Sequence, residues 1–243
     1  MPAAASSHAG LTPPASAGRV NSNVRHLKGN PLQLDDTLVF IDGENLTLRY
    51  QEMLKAGRKP AIGNIHVQDA FVWNQSVLDS HFWNLNRVSY YTSVAGDELK
   101  LREVRKLIGG TAFTCKTGIV TTVLRSAPST RTGQIVPFVR KKSARSRKES
   151  ICDIQIAVDV LRACYRNHAK NIWIFTGDGD FLSLFEEVVH SGKRIYVSAL
   201  SSGLSDEIPF AVDEFLPIDE YFFSPEDPTS DNTDSPSSPP ADA

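Results

Sequence analysis

The chain has 243 residues, of which 41% are hydrophobic and 22% charged, and its formal net charge is −2. This composition predicts one globular domain with length left over for flexible ends, and the balanced charge neither favours nor excludes a nucleic-acid partner. No apolar run is long enough to span a bilayer, so no transmembrane segment is expected. The three cysteines lack the paired spacing of a zinc site, so no such site is expected either.

The two ends of the chain differ in composition from its middle. Residues 1–34 are rich in Ala, Ser, Pro and Gly and contain no acidic residue, whereas residues 224–243 form an acidic, Pro/Ser-rich tail. Both are predicted to be disordered, which leaves residues 35–223 as the folded domain. The odd number of scattered thiols fits a reducing compartment, so we expect a cytoplasmic protein, with an N-terminal transit peptide as the alternative.

Between these ends the hydrophobic pattern alternates between that of strands and that of helices. The apolar run at 38–41 is typical of a strand buried on both faces, and Gly57 is suited to end the helix that follows it. Further strands are predicted at 87–94, 112–116, 171–176, 194–200 and 214–218. Helices are predicted at 46–56, 66–82, 98–108, 151–166 and 181–190.

Residues 118–148 interrupt this alternation. Segments 119–124 and 134–140 are predicted to pair as a β-hairpin-like insertion. The rest of the alternation predicts an α/β fold, a three-layer α/β/α sandwich around a mostly parallel sheet. In such a sheet the ligand site lies beyond the carboxyl ends of the strands.

Acidic residues stand at the ends of two predicted strands. Asp42 directly follows the apolar run at 38–41, and Asp178 and Asp180 follow the run at 171–176. Because the carboxyl ends of parallel strands share one edge of the sheet, these acids are expected to lie close together. Asp153 opens the predicted helix at 151–166 and is a fourth candidate.

A cluster of carboxylates suggests a bound cation. Carboxylates that share one site repel each other, so without a counter-charge some would have to be protonated. Mg²⁺ and Mn²⁺ prefer oxygen ligands and can activate water and neutralise charge on a phosphoryl group. The residues therefore point to a divalent-metal phosphate site. Taken singly, each aspartate also fits ordinary turn or helix-cap chemistry.

Three further residues are weaker candidates for the site. Asn45 could hold Asp42 or a substrate phosphate, or cap a helix. Thr176 could contact phosphate or metal-bound water, or be an ordinary strand-end residue. Asp159 lies six residues after Asp153, which on a helix separates the two by roughly 120°. It is therefore a second-rank candidate that could instead reach a basic partner.

A basic run precedes Asp153 and is a candidate substrate-binding loop. Lysines and arginines beside an acidic metal site would hold the phosphates of an anionic polymer. A solvated loop or an import signal explains the same run. The residues concerned are Arg140, Lys141, Lys142, Arg145, Arg147 and Lys148.

Three blocks of the sequence resemble one known family. FIDGEN at 40–45, KESICDIQIAVD at 148–159 and IFTGDGDF at 174–181 are similar to the signature blocks of the NYN domain, a branch of the PIN-like nucleases. The resemblance covers roughly residues 36–219. The second block departs from the family pattern, because Lys148 lies five residues before Asp153, which puts a role for Lys148 in doubt.

The resemblance implies a PIN-like α/β/α sandwich and hydrolysis of phosphodiester bonds, usually in RNA, with Mg²⁺ or Mn²⁺. It assigns the catalytic and metal-binding roles to Asp42, Asp153, Asp178 and Asp180, and Asn45, Thr176 and Asp159 also match family positions. The expected function is thus that of a metal-dependent ribonuclease, more specifically an endoribonuclease, with RNA as partner. No membrane partner and no small organic cofactor are expected, and a homodimer is left open.

Two other functions compete with this one. The chain could be a non-catalytic RNA-binding or protein-interaction module on the same fold. It could also be a phosphatase similar to the haloacid dehalogenases, since GDGD at 177–180 is similar to their metal loop. That chemistry needs an Asp-x-Asp pair after the first strand, where this chain has Asp42-Gly43-Glu44, so the phosphatase is the weaker alternative.

Overall fold

In the computed structural model, the described residues are 35–79, 84–117, 129–142 and 151–225. The predicted disorder of residues 1–34, and of all but the first two residues of the tail at 224–243, falls outside these ranges. Within them, no helix is both long and apolar enough to cross a membrane.

The strands and helices are numbered separately in chain order. The strands are β1 (Asp36–Asp42), β2 (Ile65–Val67), β3 (Phe71–Trp73), β4 (Asn84–Val94), β5 (Ala112–Thr117), β6 (Ser129–Gln134), β7 (Val136–Lys141), β8 (Asn171–Phe175), β9 (Arg194–Ala199) and β10 (Glu214–Pro217). The helices are α1 (Gly43–Lys55), α2 (Ser76–Asp79), α3 (Glu98–Gly110), α4 (Ile151–Tyr165), α5 (Leu182–His190), α6 (Ile208–Ala211) and α7 (Asp219–Phe222), and a single 3₁₀ turn covers Gly179–Phe181.

Six strands form one parallel sheet in the order β10-β9-β8-β1-β4-β7. The chain begins in the middle at β1, builds outward through β4 and β7, and then returns to the other side of β1 with β8, β9 and β10. The direction of building therefore reverses between β1 and β8. Ligands of parallel sheets bind at such a reversal, because the loops leaving the two strands diverge there and open a crevice.

Both faces of this sheet are buried. In β1, Val39 and Ile41 pack into the core under α1 and α3, whereas Phe40 packs on the opposite face with α4 and α5. In β8, Trp173 and Ile174 alternate between the same two layers. Burial on both faces explains why these strands read as continuous apolar runs. The predicted three-layer α/β/α sandwich with a mostly parallel sheet is confirmed.

Most predicted elements agree with the structure to within a few residues. The helix predicted at 46–56 is α1, which begins earlier because Asp42 caps its first turn. It ends where expected, since Gly57 follows with a φ of 93°, a backbone conformation that favours glycine.

The helix predicted at 66–82 is wrong. Strand β2 pairs antiparallel with β3, and within the described residues the short helix α2 covers Ser76–Asp79. The turn between the strands places Asp69 at a φ of 55°, and the Ala70 N–H donates to the Val67 carbonyl at 3.1 Å. All three residues of β3 are buried, so the segment packs as a strand in the core rather than presenting one helical face.

The predicted hairpin of the 118–148 insertion is corrected in its pairing. Strand β6 pairs antiparallel with β5, and β7 joins the central sheet parallel to β4. The predicted strand at 134–140 is therefore divided between two sheets. Its predicted partner at 119–124 lies outside the described residues. In the described part of the insertion, β6 pairs with β5, which precedes the insertion, and β7 is an edge strand of the central sheet.

The first residue of α1 fixes how closely that helix approaches β4. A Cβ atom on Gly43 would overlap the ring of Tyr90 and would lie 2.7 Å from the carbonyl oxygen of Tyr91. Glycine is thus needed at position 43, directly after Asp42, because α1 and β4 approach each other closely there.

We predict that Gly43→Ala lowers the free energy of unfolding by about 1–3 kcal/mol, the usual cost of overpacking a closed site. Urea denaturation followed by circular dichroism measures the change. Gly110→Ala is the matched control, because a Cβ there meets nothing within 4 Å. That variant is expected to be neutral or slightly stabilising, through the higher helix propensity of alanine. Equal stability of the two variants would contradict the close approach.

Candidate functional site

An acidic cleft opens where the sheet reverses, at the carboxyl ends of β1 and β8. Its volume is about 310 Å³, and the basic side chains of Arg49 and Lys142 also line it. We call it the acidic cleft after the five carboxylates in its lining, which are those of Asp42, Glu44, Asp69, Asp153 and Asp178.

Asp42 lies at the centre of the hydrogen bonds that join β1 to β8. It is the last residue of β1 and the N-cap of α1, where its Oδ1 accepts a hydrogen bond from the backbone N–H of Asn45 at 3.0 Å. Its Oδ2 accepts a hydrogen bond from the hydroxyl of Thr176 at 3.1 Å. Only 2% of Asp42 is exposed, so these two bonds hold one side-chain orientation in a closed site.

Asn45 and Thr176 continue this network across the crevice. The Asn45 side-chain oxygen accepts a hydrogen bond from the Gly177 N–H at 3.1 Å, and the Thr176 hydroxyl oxygen accepts one from the Asp178 N–H at 3.2 Å. Asn45 and Thr176 therefore hold the start of α1 and the loop after β8 together. Asn45 also lines the cleft, whereas Thr176 is buried beneath it.

The buried carboxyl of Asp42 has a strongly perturbed acidity. Its pKa is raised from 3.8 to about 7, chiefly because burial removes the hydration of the charged form. Hydrogen bonds from Asn45 and Thr176 oppose that rise in pKa, and the charges of Asp153 and Glu44 add to it. The ionised form of Asp42 is therefore disfavoured in the site without a counter-charge.

The other predicted aspartates divide into two groups. Asp153, in the first turn of α4, and Asp178, the N-cap of the 3₁₀ turn, both line the cleft. Asp180 is exposed and is not part of the lining, although its backbone N–H donates to the Oδ1 of Asp178 at 3.0 Å.

Asp159 faces a different cavity on the α4 side of the sheet. Its Oδ2 accepts hydrogen bonds from the Tyr91 hydroxyl at 3.1 Å and from Gln155 at 3.0 Å. Its Oδ1 forms an ion pair with Arg162. Of the two possibilities for Asp159, the structure shows the pairing with a basic side chain, that of Arg162. Asp159 does not line the acidic cleft.

The basic run reaches the cleft at one residue. Lys142 lines it directly after β7, and its backbone N–H donates to the Val94 carbonyl at 2.9 Å. Arg140 and Lys141 are exposed at the end of β7. The remaining predicted substrate residues, Arg145, Arg147 and Lys148, lie outside the described residues.

Two acids of the cleft were missed by sequence reasoning. Glu44 lies in the first turn of α1, where the Ser93 hydroxyl donates to its carboxylate. An acid in the first turn of a helix is commonly explained by the helix dipole, so Glu44 did not stand out as a site residue. Its position two residues after Asp42 could have indicated that it lies near the site. Asp69 lies in the β2–β3 turn. Because the sequence predicted a helix at 66–82, it gave no reason to expect Asp69 at the site.

The donor set of the cleft suits a hard divalent cation. Carboxylate oxygens dominate its described lining, which includes no histidine and no cysteine, and such ligands favour Mg²⁺ or Mn²⁺. Within the described ranges, no three acids, histidines or cysteines stand close enough to hold one ion as they are oriented. The residues therefore fit such an ion in type, and binding it would require rotation of cleft side chains such as the half-buried Asp153 and Asp178.

Comparisons with known proteins identify one family. The model of the NYN domain matches residues 36–219, which include all six strands of the central sheet and every acid of the cleft. No curated protein matches the chain in sequence. Among solved structures, a protein of unknown function from Vibrio parahaemolyticus matches with a TM-score of 0.48 and 14% sequence identity, over 80% of this chain and 99% of that one.

The raised pKa of Asp42 predicts a pH-dependent stability in metal-free buffer. Since the folded pKa lies above the unfolded value, the contribution of this group is fully present below pH 3.8 and is lost as the pH rises to about 7. The loss is at most about 1.4 kcal/mol per pH unit. Asp42→Asn removes the titration and keeps an N-cap side chain.

We therefore expect the free energy of unfolding of Asp42→Asn, relative to wild type, to increase between pH 5 and pH 7. Denaturant titrations with a chelator present measure it at each pH. Curves that stay parallel across this range would show that burial does not perturb Asp42 as described.

Proposed function

The chain belongs to the NYN domain family, within the PIN-like nuclease superfamily, and from that premise we propose that it is a metal-dependent ribonuclease acting at the acidic cleft. The observation that carries the proposal is the acidic cleft itself, where the buried Asp42 lies with Asp153 and Asp178 in one lining. A carboxyl in that position is either protonated or matched by a cation. The NYN family match favours the second outcome and RNA as the substrate.

The metal would be held by carboxylates from three separate elements of the fold. Asp42 comes from the end of β1, Asp153 from the start of α4, and Asp178 from the loop after β8. When bound, a divalent cation supplies charge neutralisation to a phosphodiester and lowers the pKa of a water molecule. Support for Asp180 comes from the family likeness alone, because its exposed side chain lies outside the described cleft lining.

The chain's own residues orient this set and bind the substrate. Hydrogen bonds from Asn45 and Thr176 keep the Asp42 carboxylate from turning, so the position of one ligand is set before anything binds. Lys142 and Arg49 line the same cleft and offer cationic donors to phosphate oxygens. An acidic centre with basic side chains at its border suits a phosphodiester, whose charge would otherwise be repelled.

Replacing single acids tests the assignment of the site. We predict that Asp153→Asn lowers the rate of Mn²⁺-dependent RNA cleavage by about 10²–10³-fold, since losing a ligand removes several kcal/mol of transition-state stabilisation. Asp36→Asn is the matched control, because it makes the same change at an exposed residue at the amino end of β1, away from the cleft, and it should stay within a few-fold of wild type. Cleavage of a labelled RNA pool measures both. A wild-type protein that cuts no RNA, or an Asp153→Asn protein as active as wild type, refutes the proposal.

Metal binding itself separates an enzyme from a non-catalytic module with the same fold. We predict that Mn²⁺ at about 100 times its dissociation constant stabilises the wild type by about 2.7 kcal/mol, by mass action. Thermal unfolding with and without Mn²⁺ measures this shift, which should be absent in Asp42→Asn and Asp178→Asn. No shift in the wild type favours a binding module. Hydrolysis of a small phosphate monoester in place of RNA would instead favour the phosphatase.

A further inference from the structure

A second cavity lies on the α4 side of the sheet, outside the acidic cleft. Its volume is about 450 Å³, with α4 along one side and β1, β4 and β7 beneath it. This volume is within the usual range for sites that hold small molecules or parts of larger ligands. We call this cavity the α4 groove, defined by Tyr91, Phe138, Arg87, Arg162 and Arg166.

The floor of the α4 groove is a row of aromatic rings on three neighbouring strands. Phe40 of β1 and Tyr91 of β4 have ring centroids 6.4 Å apart, and Tyr91 and Phe138 of β7 stack at 4.6 Å with an interplanar angle of 6°. Phe40 and Tyr91 are buried and Phe138 is half-buried. The floor is therefore apolar and partly open at its β7 end.

The rim of the α4 groove is basic. Arg87 lies over the ring of Phe138, with its guanidinium carbon 5.6 Å from the centroid, and Arg162, Arg166 and His168 border the same cavity. Asp159 is the one acid in the described lining, and Arg162 neutralises it. The three arginines and one aspartate of this lining give a formal charge of +2.

Helix α4 connects the groove to the acidic cleft. Asp153 in its first turn lines the cleft, while Asp159, Arg162 and Arg166 follow along the face that lines the groove. The helical rise places Arg166 about 20 Å from Asp153 along the axis. An acidic surface and a basic surface thus follow one another along a single helix.

We propose that the α4 groove binds single-stranded RNA next to the phosphodiester held in the acidic cleft. This rests on the proposed function, because it takes the RNA in the cleft as given. Single-strand sites combine cationic side chains that follow the backbone with apolar or aromatic surfaces against which bases pack. Arg87 and Arg166 contact phosphates, and a base packs against the exposed part of Phe138 beside Arg87.

A binding measurement without metal tests the groove separately from catalysis. The probe is a fluorescent single-stranded RNA of about 12 nucleotides, within the range that single-strand sites cover, titrated with the full chain in a chelating buffer. The groove variant is Arg87→Glu with Arg166→Glu. The control is Lys100→Glu with Arg102→Glu, which makes the same charge change at exposed positions of α3, on the opposite face of the sheet.

The groove variant is expected to raise the dissociation constant at least about tenfold, and the control less than about threefold. The salt dependence of the groove variant should also be shallower by roughly 1.4 logarithmic units, for two lost contacts to single-strand phosphates. Thermal unfolding checks that both variants fold. The milder variant Arg87→Gln with Arg166→Gln should also bind the RNA more weakly than the control does. Equal binding by groove and control variants, or no RNA binding by the wild type, overturns the proposal.

The two proposals fail in different ways. If the wild type binds RNA through the groove but cuts none with Mn²⁺, hydrolysis is refuted and the groove is supported. If the wild type cuts RNA while groove and control variants bind it equally, the groove is refuted and the catalytic assignment is not affected.

Discussion

The site depends on one buried carboxyl at the end of the central strand. Asp42 accepts hydrogen bonds from Asn45 on α1 and from Thr176 after β8, so one side chain joins the elements on both sides of the sheet reversal. Its burial makes the ionised form costly, and the nearby charges of Asp153 and Glu44 increase that cost. A protein that keeps such a group at this position benefits if a cation binds there, and membership of the NYN family agrees with that use.

The surface along α4 is acidic at one end of the helix and basic at the other. Acids surround its first turn, and arginines border its last turns, with Asp159 and Arg162 paired between them. A small phosphate ester would need only the acidic end. A polymer that spans about the length of the helix would use both ends, because its reacting phosphate and its neighbouring phosphates meet different surfaces.

The sequence predicted the order of the main elements and the position of the reversal, and its errors have physical causes. The residues of β3 were read as a helix because a short, fully buried strand has no alternation to mark it. Strand β7 was assigned to a hairpin because pairing with β4, more than forty residues earlier, leaves no local signal. Asp180 lies two residues after Asp178, yet its side chain is exposed and is not part of the described cleft lining.

The sequence by itself determined that Asp42 and Asp178 follow buried strands at one edge of a parallel sheet, because periodicity, caps and turn residues are properties of neighbours along the chain. Only the tertiary structure decided which acids share a cleft. It brought in Glu44 and Asp69 and turned Asp159 toward Arg162. It also assembled the aromatic floor of the α4 groove from three strands. These outcomes depend on strand order and side-chain direction, which are set by pairing between segments that are distant in the sequence.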